Sequence, residues 1–443
     1  MHIFVQDFPD KFDSLEVEDD RILKESFDFK IETVPTLIKI ENGVETARTV
    51  GWEVKSWEAV SGERPLGSDL PEMRPGCGSI SVEPGMPDKL AIRFGKIEFL
   101  SRKVEFGILE DDIEFCFDKN WSDGLPVVPP TEERVYRMLK GTHRTANEVL
   151  GLMPPNHVEC TVEKVAINAV MAGCKPDFMG VVLAAVEAAL DPAFCLHGLI
   201  ATTWLSGPMV VVNGEIRKAI GMNWKGNVLG QGNRANSTIG RALQLSIRNI
   251  GGGRPQEVDQ ATFGTPLKIG FCFAEDESTP WTTLAEERGF DKGQSAVTLF
   301  SADGPVGCVD QKSREPESLI ESIAGSLKIV NHVAMSNASD AVVIIGPEHG
   351  RIFDSAGWSK EQAVESLHRV TRVPKGSDLK MGTHEEVSVD SKRAKEGSDS
   401  PKFRDGGLTL IRAGGDAGLF SAIIPGWLMK GATGTEPITK EVI

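Results

Sequence analysis

The first 60 residues alternate short apolar stretches with turn residues. The apolar run Val34–Ile40 is separated from a second run, Val44–Val50, by the turn Glu41-Asn42-Gly43. Two such runs joined by Asn-Gly predict a β-hairpin, and Pro35 is tolerated because it stands at the start of the first strand. The pattern predicts a compact unit with strands and helices over residues 1–60.

The next segment changes in composition. Residues 61–76 are rich in proline, glycine and charged side chains, which is typical of a linker. We therefore predict a linker and connecting segment over residues 61–104. Cys77 follows the linker-like stretch directly and lies between two glycines, so its thiol is expected to be easy to approach.

Helical periodicity and buried strands mark an α/β domain over residues 105–290. Thr161–Ala172 and Gly180–Leu190 have the apolar spacing and the terminating residues of helices. Leu199–Trp204 and Met209–Val212 have the composition of buried strands.

Residues 291–443 predict a C-terminal α/β domain. Three near-continuous apolar strands are each followed by a polar loop and then by a helix. The strands are Ala296–Phe300, Ala341–Ile345 and Leu408–Ile411, and the helices are Pro316–Leu327, a segment after Gly350, and Leu419–Ile424. Such an alternation predicts a parallel sheet covered on both faces, and the loops at the carboxyl ends of its strands should converge. The predicted fold class is α/β.

Charge and composition narrow the classes of partner. The 443 residues include 48 basic and 64 acidic side chains, a formal charge of −16. A surface this acidic, without a segregated basic face, argues against a nucleic-acid partner. No stretch approaches 18 consecutive apolar residues, and the N-terminus lacks a secretory signal pattern. We therefore expect a cytoplasmic protein that binds a small-molecule substrate and no membrane, and leave an oligomer open.

Seven cysteines, none of them in a C-x-x-C pair, indicate reduced thiols that mostly serve as small buried hydrophobes. Cys77 is the first candidate for a reactive thiol, although an incidental loop thiol is the alternative. Cys160 is the second candidate, because a helix N-terminus stabilises a thiolate. The helix between Cys160 and Cys174 would separate them by roughly 20 Å, which excludes a disulfide.

The segment 221–240 is dense in glycine and leads into a helix predicted over Thr238–Asn249. A glycine-rich loop before a helix exposes backbone N–H groups to an anion, and nearby basic side chains add full charge. The residues assigned to this anion site are Lys225, Gly230, Gly232, Arg234, Asn236 and Ser237, with Asn236 or Ser237 as the N-cap. A purely structural Asn/Gly-rich turn is the alternative.

The three C-terminal loops place four titratable residues at the predicted sheet edge: Asp303, Glu348, His349 and Asp416. Glu348 and His349 would serve as general acid and base, with Asp303 or Asp416 assisting proton transfer. Two alternatives are a structural histidine and a divalent-cation site, for which no ligand spacing is present. We assign no metal ligand, and the sequence indicates no particular cofactor.

Residues 1–60 resemble the second half of the thioredoxin fold. The resemblance rests on Val34-Pro35-Thr36-Leu37 and on the Asn-Gly hairpin. It implies that Pro35 is cis. The first βαβ portion, with its Cys-x-x-Cys pair, is absent from this chain. Three interpretations stay open: a native start upstream of Met1, a degenerate scaffold module, or a partial fold that borrows strands from elsewhere.

The remainder resembles uncharacterised bacterial proteins associated with the UGSC-motif selenoprotein family. The similar segments are Cys160–Pro176, Asn233–Gly240 and Gly346–His349. The closest match to the family motif is Cys77-Gly78-Ser79, with Ile80 in place of the final cysteine. The resemblance implies thiol or selenol redox metabolism.

These observations predict an enzyme that acts on a small anionic or carbonyl-bearing substrate, with thiol-linked oxidoreductase chemistry and a redox partner protein as further expectations. A hydrolase or lyase without a redox step is one alternative. A non-catalytic scaffold with a degenerate thioredoxin-like docking module is the other.

Overall fold

The computed structural model describes residues 2–6, 18–95, 97–105, 107, 110–333, 336, 339–374, 399–426 and 435–443. The chain divides into two compact units. The first comprises Met1–Phe99 and Thr131–Arg137, and the second comprises Leu100–Pro130 and Met138–Ile443.

The first unit is built from short strands and three helices along residues 4–94. Its elements are β1 (Phe4–Val5), β2 (Glu18–Asp19), α1 (Lys24–Asp28), β3 (Thr33–Val34), β4 (Thr36–Glu41), β5 (Val44–Val50), β6 (Trp52–Glu53), α2 (Val54–Ser61), β7 (Met73–Arg74), β8 (Cys77–Gly78) and α3 (Met86–Phe94).

The predicted hairpin is present. Strands β4 and β5 pair antiparallel, with Glu41 opposite Val44. Asn42 and Gly43 both adopt positive φ angles, 53° and 78°, as a tight two-residue turn between twisted strands requires. The peptide bond between Val34 and Pro35 is cis, as expected.

The prediction of a linker over 61–104 is wrong for its first part. Strand β7 pairs with β6, and β8 pairs with β3, so residues 73–78 belong to the first unit. Composition suggested a linker because prolines and glycines dominate the segment. However, two-residue strands need only a few backbone hydrogen bonds and leave little apolar pattern.

The second unit contains the longer elements. In chain order they are α4 (Asp112–Asp118), α5 (Glu132–Leu139, whose first residues belong to the first unit), β9 (Val149–Met153), β10 (Val158–Thr161), α6 (Val162–Ala172), α7 (Met179–Leu190), α8 (Leu196–Ala201), β11 (Gly207–Asn213), α9 (Ile216–Ala219), α10 (Arg234–Asn249), β12 (Cys272–Ala274), α11 (Leu284–Glu287), β13 (Ala296–Ala302), β14 (Val306–Val309), α12 (Pro316–Lys328), β15 (Ser339–Ile345), α13 (Pro347–Ser355), α14 (Lys360–Val370), β16 (Phe403–Arg412), β17 (Phe420–Pro425) and β18 (Ile438–Glu441).

Two mixed four-stranded sheets form the centre of the second unit. One has the order β12-β11-β13-β18, and the other has the order β14-β17-β15-β16. Only the pairs β11/β12 and β15/β16 are parallel within these sheets; the other neighbours are antiparallel. The prediction of a parallel C-terminal sheet is therefore wrong. The predicted boundary near residue 290 is also wrong, because β13 pairs with β11 across it.

The two sheets pack against each other through apolar side chains. Met209 and Val211 of β11 share one buried cluster with Val342 and Ile344 of β15. The alternate residues of β15 instead pack against α12, α13 and α14. On the other side, α7 and α10 contact β11. The result is a four-layer arrangement of helices, sheet, sheet and helices, in general terms an α/β architecture.

Most predicted helices form, and their caps explain their limits. Thr161 accepts a hydrogen bond from the Lys164 backbone N–H and starts α6. By contrast, the first half of the predicted strand Leu199–Trp204 belongs to the helix α8, which begins after the left-handed Cys195, and its second half is irregular. The predicted helix Leu419–Ile424 is largely the strand β17. Both segments are short apolar runs, in which periodicity does not separate helix from strand.

Among the described residues, no single helix has the length and apolar composition to cross a membrane. One bent pair, Pro176–Leu190 with Pro192–Ala201, meets those criteria when the two helices are taken together.

Helix α10 lies unusually close to the strand β12. A Cβ atom on Gly240 would lie 2.6 Å from the backbone nitrogen of Phe271, and one on Gly270 would lie 2.6 Å from that of Arg241. Real Cβ atoms do not approach backbone this closely, so glycine at both positions permits the contact.

We therefore expect Gly240→Ala to lower the free energy of unfolding by about 1–3 kcal/mol, because the methyl group has to push the helix from the sheet. Gly325→Ala is the matched control, since Gly325 is an exposed helical glycine with open space around it. It should raise stability by up to about 1 kcal/mol. Urea denaturation of both variants measures the difference, and equal effects would contradict the packing argument.

Candidate functional site

Cys77 is held on strand β8, directly opposite Val34 of β3. Its side chain is exposed. A Cβ atom on Gly76 would lie 2.3 Å from Cγ2 of Thr33, so glycine is needed there for the two strands to approach each other. A Cβ atom on Gly78 would meet nothing within 4 Å. The backbone is thus closely packed at Gly76, before the thiol, and has open space at Gly78, after it.

A buried polar network fixes the chain directly after Cys77. The Ser79 hydroxyl accepts a hydrogen bond from Nε2 of Gln6 at 2.6 Å and lies 2.7 Å from the Ser81 hydroxyl. Nε2 of Gln6 also donates to Ser26, whose backbone N–H donates to the buried Asp20. These bonds tie β8 to the helix α1, so the position of the thiol is set by the packed interior of the first unit.

Cys160 does not have the environment predicted for it. It lies in strand β10, fully buried, and burial raises the pKa of its thiol to about 12 in spite of the nearby Lys164. The helix α6 begins at Val162, two residues later, so the expected stabilisation of a thiolate is outweighed by desolvation. Burial likewise raises the thiol pKa of the other buried cysteines: Cys116, Cys174, Cys272 and Cys308. Cys160 and Cys174 do not form a disulfide with each other.

The glycine-rich segment is held together by its own asparagines. Asn236 accepts a hydrogen bond from the Asn223 backbone N–H and donates to the carbonyl of the same residue. Asn233 caps α10, which begins at Arg234, one turn before the predicted start. The predicted N-caps Asn236 and Ser237 therefore lie inside the first turn of the helix.

The residues assigned to the anion site differ in their surroundings. Lys225 is exposed, and Arg234 donates to the carbonyl of Gly173. Gly230 packs closely on Asn227, and Gly232 has a φ angle of 113° that suits glycine. A structural role accounts for these contacts, and anion binding by the segment stays a prediction.

The four titratable residues of the predicted sheet edge do not form one site. Ser421, at one end of β17, contacts His349, whereas Pro425, at the other end, accepts the backbone N–H of Asp303. Four residues of a strand span about 13 Å. The loop after β13 does not join the other two, because β13 lies in a different sheet from β15 and β16. The loops after the parallel strands β15 and β16 do meet, since a Cβ atom on Gly414 would lie 3.4 Å from Cδ of Pro347. Asp416 is exposed on the loop after β16.

Both ring nitrogens of His349 contact groups inside the protein. It is fully buried, with Nδ1 2.8 Å from the Ser421 hydroxyl and Nε2 3.0 Å from the Asp310 carbonyl. Glu348 lies beside Arg351 at 3.6 Å. The structural alternative for His349 fits these contacts, and acid–base catalysis by Glu348 and His349 stays a prediction.

Asp303 is a buried carboxyl group with its own partners. It accepts hydrogen bonds from the Trp204 indole, at 3.0 Å, and from the Ser206 hydroxyl. Burial raises the pKa of Asp303, and these two bonds oppose that effect. Among the described residues, no group of three or more histidine, cysteine, aspartate or glutamate side chains is arranged to hold a metal ion.

A charged cluster that was not predicted lies at the carboxyl ends of β11 and β12. Arg217 is nine-tenths buried, pairs with Glu277 at 2.9 Å and stacks on Trp224 at 4.6 Å. Nδ2 of Asn213 donates to Glu275 at 2.6 Å, and burial raises the pKa of Glu275. The signal was a buried strand, Cys272–Ala274, followed immediately by acidic residues.

A cavity of about 560 Å³ lies beside α11, α14 and β16. Its volume is in the range of small-molecule sites. The lining combines apolar side chains with the buried ion pair of Lys360 and Glu287, which are 2.7 Å apart, and with His368, whose pKa burial lowers. This cavity has the size for the small-molecule substrate predicted from the sequence.

We expect a pH-dependent contribution to stability from Asp310, the residue whose carbonyl contacts His349. Burial alone would raise the pKa of Asp310, but hydrogen bonds from Ser313, Ser322 and the Lys312 backbone outweigh it and lower the pKa well below its usual value. The ionised carboxylate therefore stabilises the fold at pH values above about 4 and loses this contribution as the pH falls further.

Asp310→Asn should lower the free energy of unfolding by about 1–3 kcal/mol at pH 7, and the difference from the unsubstituted chain should shrink below pH 4. Denaturant titrations between pH 3 and pH 7 (about one unit apart) measure this. Asp416→Asn, at an exposed position, is the control and should change little. A difference that stays constant with pH would contradict the assignment.

Comparisons of the chain with protein-family models, with curated proteins and with solved structures gave no match.

Proposed function

We propose that the chain is a thiol-linked oxidoreductase whose reactive group is the thiol of Cys77. The observation that carries the proposal is the contrast among the seven cysteines. Cys77 is the exposed one, whereas burial disfavours the thiolate at five of the other six. Because the thiolate is the nucleophile in disulfide chemistry, exposure selects Cys77.

The strand pairing supports the same assignment. β8 pairs with β3 at Thr33 and Val34, and the buried Gln6–Ser79 contact holds the following residue. The sulfur is therefore presented at a defined place on a fixed backbone instead of at the tip of a loop.

Cys77 is the sole cysteine among residues 1–99, so the reaction needs a second thiol from outside this unit. The Cys77 thiolate attacks one sulfur of a substrate disulfide, forms a mixed disulfide and releases the other half as a thiolate. A free thiol, from a small molecule or a redox partner protein, then attacks the mixed disulfide as its thiolate. This step forms a disulfide between the incoming thiol and the retained half and returns Cys77 as a thiolate. A second cycle, with a second free thiol, acts on that mixed disulfide, so that one substrate disulfide is reduced to two thiols and two incoming thiols are oxidised to a disulfide.

Alkylation of the native chain tests the reactivity of Cys77. Iodoacetamide should modify Cys77 about 10-fold faster or more than any other cysteine, because the others are at least half-buried and most have a raised pKa. Peptide mapping by mass spectrometry locates the adduct. Cys160→Ser should leave the labelling unchanged, and Cys77→Ser should abolish it. Absence of an adduct at Cys77 would overturn the proposal.

A turnover assay separates an oxidoreductase from the alternatives. With bis(2-hydroxyethyl) disulfide as substrate and glutathione as the resolving thiol, the chain should accelerate disulfide reduction, and Cys77→Ser should remove the acceleration. Cys160→Ser is the matched control and should retain it. Labelling at Cys77 without any turnover would favour a binding or scaffold protein instead.

A further inference from the structure

The second half of helix α10 carries a row of polar side chains on one face. Arg241, Gln244 and Arg248 are spaced three and four residues apart, which aligns them along the helix. Arg241 is fully engaged by Asp123, with two hydrogen bonds of 2.7 and 2.8 Å. Arg248 donates to the Asn120 side-chain oxygen at 2.6 Å, which is an uncharged partner. Arg248 is thus a half-buried cation bonded to an amide.

A second arginine, Arg254, lies in the turn that follows α10. The Gly252 N–H donates to the carbonyl of Arg248, and the Arg254 N–H donates to the carbonyl of Gly252. A Cβ atom on Gly251 would lie 2.1 Å from the Pro154 oxygen, and Gly252 has a φ angle of 81°. Only glycine fits this turn. Arg254 lies near enough to Arg248 for the two positive charges to interact.

The closeness of the two arginines has an electrostatic consequence. Burial lowers the pKa of Arg248, and the positive charge of Arg254 lowers it further. Two like charges at close range favour the binding of an anion between them.

Three donor atoms in this cluster have no hydrogen-bond partner in the described part of the chain. They are Nε of Arg248, Nε of Arg254 and Nε2 of Gln244. Each is shielded from solvent, and a buried donor without an acceptor is unfavourable. The terminal nitrogens of Arg254 are more accessible, since 31% of its side chain is exposed.

The carboxylates near this cluster are committed elsewhere. Asp123 binds Arg241, and Asp259 pairs with Lys268. Glu257 lies 3.8 Å from Arg254 and is itself 57% exposed, which makes it a weak, screened partner. Within the described residues, no carboxylate pairs with Arg248. The three donors therefore lack an acceptor among the described residues, and a bound anion would supply one.

We propose that Arg248 and Arg254, together with Gln244, bind a small oxyanion of the phosphate class. Planar guanidinium groups match the oxygens of phosphate, and a tetrahedral dianion compensates two of them at once. A polyanion is disfavoured because the whole chain carries a charge of −16. The site lies about 21 Å along α10 from Arg234, so it is distinct from the anion loop predicted at the other end of the helix.

Titration calorimetry with inorganic phosphate, at constant ionic strength set by sodium chloride, tests the site on the full chain. We expect saturable binding with one phosphate per chain. Arg248→Gln and Arg254→Gln should each weaken it about 10-fold or more, and Arg248→Lys should weaken it less because the charge remains. Arg314→Gln, at an exposed position outside both candidate anion sites, is the matched control and should bind phosphate like the unsubstituted chain. Arg234→Gln tests whether phosphate binds at the loop before α10 instead. Sodium acetate in a parallel titration should bind at least 10-fold more weakly.

Several results would overturn the proposal: no saturable phosphate binding by the unsubstituted chain, unchanged affinity in both glutamine variants, or loss of binding in Arg234→Gln alone. Acetate binding as tight as phosphate would contradict the phosphate class. Far-UV circular dichroism in phosphate-free buffer checks that each variant folds. Should Arg248→Gln fail to fold, Arg254→Gln carries the test, since 31% of the Arg254 side chain is exposed.

Discussion

The face-to-face packing of the two sheets is the contact on which the second unit depends. Met209 and Val211 meet Val342 and Ile344 in a single apolar cluster, and the alternate residues of the same strands pack under helices. A strand in this position is buried on both faces, so its sequence loses the polar alternation of a half-exposed strand. All seven residues of β11 are buried as a result. Helices must then cover both outer faces, which places α10 against β12 through Gly240 and Gly270.

This packing explains which features the sequence could predict. The Asn42-Gly43 turn, the Thr161 cap and the helices α6, α7 and α12 rest on local signals, and the structure contains them. The direction of strand pairing is a long-range property. Continuous apolar runs correctly indicated strands buried on both faces, but a parallel sheet under helices and a mixed sheet inside a sandwich leave the same pattern. The error in topology led directly to the error in the site, since Asp303 and His349 were expected at one edge.

The candidate site of the first unit likewise combines a local feature that the sequence predicted with a long-range contact that it did not. The glycines on either side of Cys77 are visible in the sequence, and they indicated an accessible thiol. The partner strand of Cys77 was not predictable, because β3 and β8 are two residues long and separated by 42 residues. Likewise, no sequence motif marks the buried Arg217 or the unpartnered donors around Arg248. Their significance depends on which carboxylates lie nearby, which only the folded chain determines.

Burial and reactivity are linked across the seven cysteines. A thiol that fills space in an apolar core gains nothing from ionisation, and desolvation keeps it protonated at neutral pH. The cores of the second unit contain Cys160, Cys174, Cys272 and Cys308 in this state. Thiol chemistry at Cys77 can therefore proceed without exchange into these interior positions, because an interior thiol would have to be exposed by unfolding before it could attack a disulfide. The same hydrophobic packing that stabilises the second unit thus restricts the proposed redox chemistry to one sulfur in the first.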